Sequence, residues 1–331
     1  MTVVLRAATD QGLVALQRQL RTLAPDIALV TNGDQALEHV TPDSRPPRLV
    51  QAEVIEGPSM RARRVFGDPE AAFAAFLDGT QASRVVAYID GTPIIHGTVA
   101  AVVRIRRNRR LSTWHRPLVR RQLYACLRAL APERRRLLHA VGLEVIDTTV
   151  ASKDFSAHPF ILRDEAVHRV QEDREEAECE LAERWCTHEN EPLFIDGGIS
   201  GSDKVAVSSC TVGVVKSHRT LYADGDALQT ILSLRRGERS SVIRVTSPKR
   251  VSVVSWYLRL RDPLGYDPMW GLVRVEIAHP AHIDIDAVGS QADRVSRWIL
   301  AEASPLALPD GRWDKMVYGI RDCEEFLHAV T

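Results

Sequence analysis

Apolar and polar positions change period several times along the chain, and each change marks an element. Near the start, Leu13, Leu16, Leu20 and Leu23 recur at helical spacing, which predicts a helix over residues 10–23 with Asp10 as its N-cap. That stripe suits packing on the chain's own core or on another subunit. From residue 71 the period shortens. The run closing on Asp78, residues 84–89 and residues 94–105 predict three consecutive strands joined by tight turns, an antiparallel meander. A helix is predicted over 116–136 from Leu118, Leu123, Cys126, Leu127 and Leu130, and a strand over 143–150. A long acidic helix over 164–186 leads into a strand over 193–196, and residues 205–216 extend the sheet or open a second hairpin. The remaining pattern predicts a helix over 227–234, strands over 241–246, 251–260 and 273–278, and a helix over 292–303.

Strands leading into helices and back describe one mixed α/β domain. A meander followed by helices interleaved with further strands is compatible with a ribonuclease H-like mixed sheet flanked by helices, an analogy of fold alone. Residues 1–70 read as a helical and irregular N-terminal extension, suited to dimer or partner contacts, with a turn-rich connector over 41–47. Residues 71–331 read as the main domain.

Two of the apolar runs end in Asp-Gly: one at Phe76-Leu77-Asp78-Gly79, the other at Phe194-Ile195-Asp196-Gly197. Each reads as a buried strand that delivers one carboxylate to its end, where glycine lets the backbone turn away. A desolvated carboxylate is costly unless something compensates it, and a hard divalent cation does so. Asp-Gly is also an ordinary hairpin turn, as the third copy Asp90-Gly91 illustrates, so either segment alone admits both readings. The acidic helix adds a candidate third ligand. Its inward face comprises Ala166, Val170, Ala177, Leu181 and Trp185, and Glu178 borders that face. Glu175 and Glu176 lie nearer solvent, and Glu180 and Glu183 point further out. Either all these glutamates form a solvated face, or Glu178 joins Asp78 and Asp196. Such a trio could hold two ions about 3.5–4 Å apart, the arrangement that activates water and stabilises the leaving oxygen in phosphodiester cleavage. All-oxygen ligation favours Mn²⁺ or Mg²⁺.

Composition narrows the field. The 331 residues carry zero net charge, 45% hydrophobic and 26% charged positions, those of an ordinary globular protein. No stretch approaches the ~20 apolar residues of a membrane span, and the N-terminus lacks the pattern of a signal peptide, so a cytoplasmic protein is expected. The five cysteines form no CxxC pair and favour neither a disulfide framework nor zinc. Gly-rich phosphate loops are missing from the sequence. Arginines cluster at 61–64, 104–110, 116–121 and 134–136. These clusters could track a phosphate backbone, or could reflect only that arginine is the default cation in a chain with five lysines.

The order of segments resembles the NurA nuclease family, partners of the HerA-type hexameric DNA translocase. The resemblance runs from about residue 71 to the C-terminus. It rests on Leu77-Asp78-Gly79-Thr80, Arg174 and Glu178 on the long helix, Phe194-Ile195-Asp196-Gly197 and Val212-Gly213-Val214-Val215-Lys216-Ser217. It continues through Gly237-Glu238-Arg239-Ser240, the strand from Ser255 to Leu260, and Leu272-Val273-Arg274-Val275-Glu276-Ile277. It implies a ribonuclease H-like core and Mn²⁺-dependent (or Mg²⁺-dependent) cleavage of DNA. It further implies a homodimer fed by the translocase, acting in end resection and repair. By matching position, Asp78, Glu178 and Asp196 would be metal ligands. Lys216, Glu276 and Arg239 are possible additions, with Glu276 favoured for pairing with Arg274 or Arg259. Arg104, Arg106, Arg107 and Lys216 are the candidate contacts to the DNA backbone. The family's C-terminal Tyr-Pro segment with its histidine has no full counterpart in Met316-Val317-Tyr318-Gly319-Ile320, leaving His279 and His282 as substitutes. Two other functions stay open: a catalytically silent scaffold that guides DNA for a translocase, and a structure-selective endonuclease of the same fold.

Overall fold

The computed structural model describes residues 2–30, 47–150, 155–247, 250–279, 285–303 and 318–331. It begins with helix α1 (Thr2–Leu23) and four short strands, β1 (Ala28–Leu29), β2 (Arg48–Leu49), β3 (Glu53–Val54) and β4 (Ala62–Arg64). A long hairpin follows, β5 (Ala75–Ile89) and β6 (Thr92–Arg107), then β7 (Arg110–Thr113) and β8 (Leu118–Ala125). Next come α2 (Pro132–His139), β9 (Val145–Asp147), the 30-residue α3 (Pro159–His188) and β10 (Leu193–Asp196). The short helix α4 (Asp203–Ala206) precedes β11 (Thr211–Val215), β12 (Thr220–Leu221) and α5 (Gly225–Leu232). Four strands come next, β13 (Glu238–Ser240), β14 (Ile243–Ser247), β15 (Arg250–Arg259) and β16 (Leu272–Ala278), and the helices α6 (Ile285–Glu302) and α7 (Tyr318–Val330) finish the chain.

One mixed sheet runs in the order β3-β14-β15-β16-β11-β10-β5-β6-β8-β9. The meander β5-β6-β8 stands toward one end, with β10 and β11 added in parallel on the other side of β5. Period-two alternation gives the sheet two apolar faces. Leu77, Val103, Leu193 and Ile195 meet Ala166, Val170, Ala177, Leu181 and Trp185 of α3 in one core. Phe76, Phe194, Val212, Val214 and Trp256 meet Val295 and Ile299 of α6 and Ile320, Cys323 and Leu327 of α7 in a second. Phe73 bridges Phe194 (centroids 5.1 Å apart) and Trp298 (5.9 Å), both edge-on, and so clamps α6 to the centre of the sheet. A third core receives Leu16 and Leu20 of α1, which settles the leucine stripe as internal packing.

Three expectations are corrected. Residues 75–89 are one strand rather than two, because β6 pairs with the whole length from Ala75↔Ile105 to Ile89↔Thr92. Asp78-Gly79 therefore makes no turn, whereas Asp90-Gly91 does, with φ of 50° and 79°. The helix expected over 116–136 is instead β8 followed by α2. Leu118–Ala125 ladders onto β6, and a tertiary partner overrides local helical propensity. Helix formation resumes at Pro132, whose fixed φ suits a first turn. Helix α7 was not foreseen. Part of the segment expected as an N-terminal extension joins the sheet, with β3 paired to β14 and β4 to β13. The connector over 41–46 lies outside the described residues.

Gly319 seats α7 against the ring of Phe76, leaving no room for a Cβ. Gly319→Ala should therefore destabilise the protein by about 1–3 kcal/mol. A thermal melt checks this, and an unchanged midpoint would mean that α7 does not dock there.

Candidate functional site

Strands β10 and β5 are parallel neighbours in the register Leu193↔Ala75, Phe194↔Phe76 and Ile195↔Leu77. The next position on each strand is a carboxylate, so Asp78 and Asp196 stand side by side. By alternation both share the face of Phe76 and Phe194, toward α7. They line a cavity of about 480 Å³ together with Lys216, Glu324 and His328. Asp196 closes its strand, and Gly197 (φ 138°) carries the backbone away as the sequence predicts. Asp78 differs in lying within a strand, only 7% exposed, accepting a hydrogen bond from the Gly79 N–H at 2.8 Å. Lys216 Nζ contacts Asp196 Oδ2 at 2.6 Å. Burial, and after it the Asp196 carboxylate, push the Asp78 carboxyl well above the usual range. Lys216 acts against that shift and Glu178 adds to it.

Glu178 reaches the pair from the opposite face, on α3. Gly79 makes the approach possible, since a Cβ there would sit 2.9 Å from Glu178 Cδ. Arg174, one turn earlier, pairs with Glu178 and donates from Nε to Gln81 Oε1 at 3.2 Å. Burial raises the Glu178 carboxyl to about 7; Arg174 opposes the shift, and Asp196 adds to it. The three predicted carboxylates are thus brought into one electrostatic neighbourhood. Among the described residues, however, no three His, Cys, Asp or Glu side chains are placed to hold one ion together. Asp196 and Glu178 each pair with a cation of the chain, whereas among the described residues Asp78 makes no ion pair and only feels Lys216 beside Asp196. The donor chemistry suits a hard divalent ion, because every acidic donor is a carboxylate oxygen.

The other candidates fall into place around this centre. Glu276 accepts from the Ile199 N–H at 2.8 Å and pairs with Arg274, a structural role. Arg239 is buried between Glu56 (2.7 Å) and Asp293 (2.6 Å) and fixes β13 to α6. Arg104 binds Asp322 of α7 at 2.5 Å, and Arg106 binds Glu302 of α6 at 2.6 Å, so both tie helices to the sheet. Arg107 is exposed near the β6–β7 turn. His279 accepts from Arg244 Nε at 3.0 Å, while His282, Met316 and Val317 lie outside the described residues. Sequence reasoning missed Glu324 and His328. Ile320, Cys323 and Leu327 are spaced to bury one side of α7, and that amphipathic pattern was the available signal.

No family model matches the chain, and no curated protein matches it. Among solved structures the chain is similar to the NurA nuclease from Sulfolobus solfataricus, with a TM-score of 0.45 and 14% identity over 80% of this chain and 81% of that one. No helix among the described residues is long and apolar enough to cross a membrane.

The raised Glu178 and Asp78 set a pH dependence. A carboxyl whose folded pKa exceeds its unfolded value binds more protons in the folded state, so stability falls as pH rises between the two values. For Glu178 that window runs from about 4.5 to about 7. Asp78→Asn removes one repelling charge and should raise the metal-free melting temperature at pH 8 by roughly 2–4 °C, with a smaller gain at pH 4. Calorimetry at both pH values checks this, and a variant less stable at pH 8 would contradict the repulsion.

Proposed function

We propose that the chain is a metal-dependent DNA nuclease in which Asp78 and Asp196 hold the metal and Glu178 supplies a third oxygen. One observation carries this reading: residues far apart in sequence deliver two adjacent carboxylates to the wall of an open cavity, where like-charge repulsion is left for a cation to relieve. A bound Mn²⁺ or Mg²⁺ would make water more acidic and neutralise charge on a phosphodiester. Lys216, released from Asp196, can then meet a phosphate oxygen. His328 on α7 faces the same space and can exchange a proton with water or a leaving oxygen. The β8-β6-β5-β10-β11 core, with α3 crossing between the third and fourth strands in sequence, supports a ribonuclease H-like arrangement. The sequence resemblance supports a homodimer that works beside a HerA-type translocase in end resection.

Asp78→Asn and Asp196→Asn should each abolish Mn²⁺-dependent degradation of end-labelled linear DNA while circular dichroism stays native. Wild-type rates in both variants would end the assignment. His328→Gln should lower the rate less than either.

A second reading has its own support. Because Lys216 and Arg174 already neutralise Asp196 and Glu178, the chain could serve as a silent, DNA-guiding scaffold. Titration with Mn²⁺ separates the two readings: a nuclease gains thermal stability with the ion in proportion to its affinity, and a scaffold does not.

A further inference from the structure

Beside the carboxylates, on the α3 side, opens a second cleft of about 570 Å³. It shares Arg174, Val215 and Ser217 with the acidic cavity, so the two adjoin. Its walls carry Arg48, Arg174, Arg219, Arg250 and Arg274 against the acids Glu175 and Glu276. Two of those arginines are balanced locally: Arg274 by Glu276, and Arg174 by Glu178. Among the described residues Arg48 and Arg250 have no such counterion, and Arg219 stands beside Arg48 in the wall of the cleft.

These three are mounted on backbone rather than scattered over a mobile surface. Strand β2 pairs with β12 in a small parallel ladder, Thr220↔Arg48. The Arg48 N–H donates to the Arg219 carbonyl at 2.8 Å, and Arg48 Nε reaches Thr220 Oγ1 at 3.1 Å. Arg250 begins β15 across the cleft. Among the described residues neither Arg48 nor Arg250 has a carboxylate partner, and both are exposed. Ser200, Ser217 and Thr220 add hydroxyl donors between them.

We propose that this cleft binds the phosphodiester backbone of the DNA strand on one side of the scissile bond, with Arg48, Arg219 and Arg250 as its phosphate contacts. A row of guanidinium groups along an open channel suits a repeating anion better than one small ligand, and backbone contacts give binding that tolerates any sequence. This moves the DNA contact away from Arg104 and Arg106, whose charges are spent on α6 and α7. The inference rests on the nuclease reading above, and the two can fail separately.

The test is fluorescence anisotropy of a labelled deoxythymidine oligonucleotide in EDTA across a range of KCl. Arg48→Ala/Arg219→Ala/Arg250→Ala should bind at least about tenfold more weakly at 100 mM salt, and the slope of log K against log salt should flatten by about 2. The Lys-substituted triple should recover much of the affinity, and Arg21→Ala, at an exposed position on α1, should change neither quantity. Arg48→Glu and Arg250→Glu, both at exposed positions, repeat the test without risk to the core. With Mn²⁺ the alanine triple should still hydrolyse bis-p-nitrophenyl phosphate, because its carboxylates are intact. Wild-type affinity and slope in the triple would overturn the cleft assignment, as would an equal loss in Arg21→Ala or displacement of the oligonucleotide by millimolar inorganic phosphate alone. Normal binding by wild type with no Mn²⁺-dependent hydrolysis of any phosphodiester would instead sink the nuclease reading and leave the cleft standing.

Discussion

Two aspartates held on adjacent parallel strands and largely withdrawn from water impose the constraint on which the site depends. The ladder between β5 and β10 allows one register, because a slip of one residue would turn Phe76 and Phe194 out of the α6–α7 core. Packing energy spread over that core therefore holds Asp78 against Asp196, and the repulsion between them is carried by the whole sheet. Sites that must gather positive charge are built on rigid elements for this reason.

Two features follow from holding the charges there. Lys216 leaves β11, on the far side of β10, on the same face as Asp196 and partly offsets its charge. Glu178 arrives through the sheet's other face, where Gly79 has no side chain, and Arg174 accompanies it as a counterion. The carboxylates are thus approached by cations from both faces, and Arg174 and Lys216 both line the acidic cavity. An arginine-lined cleft joining the acidic cavity extends that pattern outward.

Much of the fold was legible. The leucine stripe of α1, the long α3 and the strands β10, β11, β14, β15 and β16 follow from periodicity and apolar runs, whereas α4, β12 and β13, of two to four residues, are too short to show a period. The candidate site was legible as far as its acidic residues go: Asp78 and Asp196 each close an apolar run, and Glu178 borders the buried face of α3. Legibility failed where a distant partner overrode local preference. The stretch 118–125 reads as helical until β6 supplies a ladder, and the break placed after Asp78 disappears because that same strand continues alongside.

From the order of residues alone come the acidic candidates, the all-oxygen donor chemistry and an α/β framework, because these depend on residue type and on spacing within single segments. Packing alone decided which carboxylates meet, that Arg104 and Arg106 brace helices, that α7 brings His328 to the cavity, and that Arg48 and Arg250 face each other across a cleft. Those outcomes depend on contacts between segments far apart in the chain, and side-chain periodicity within one segment carries no record of its partner.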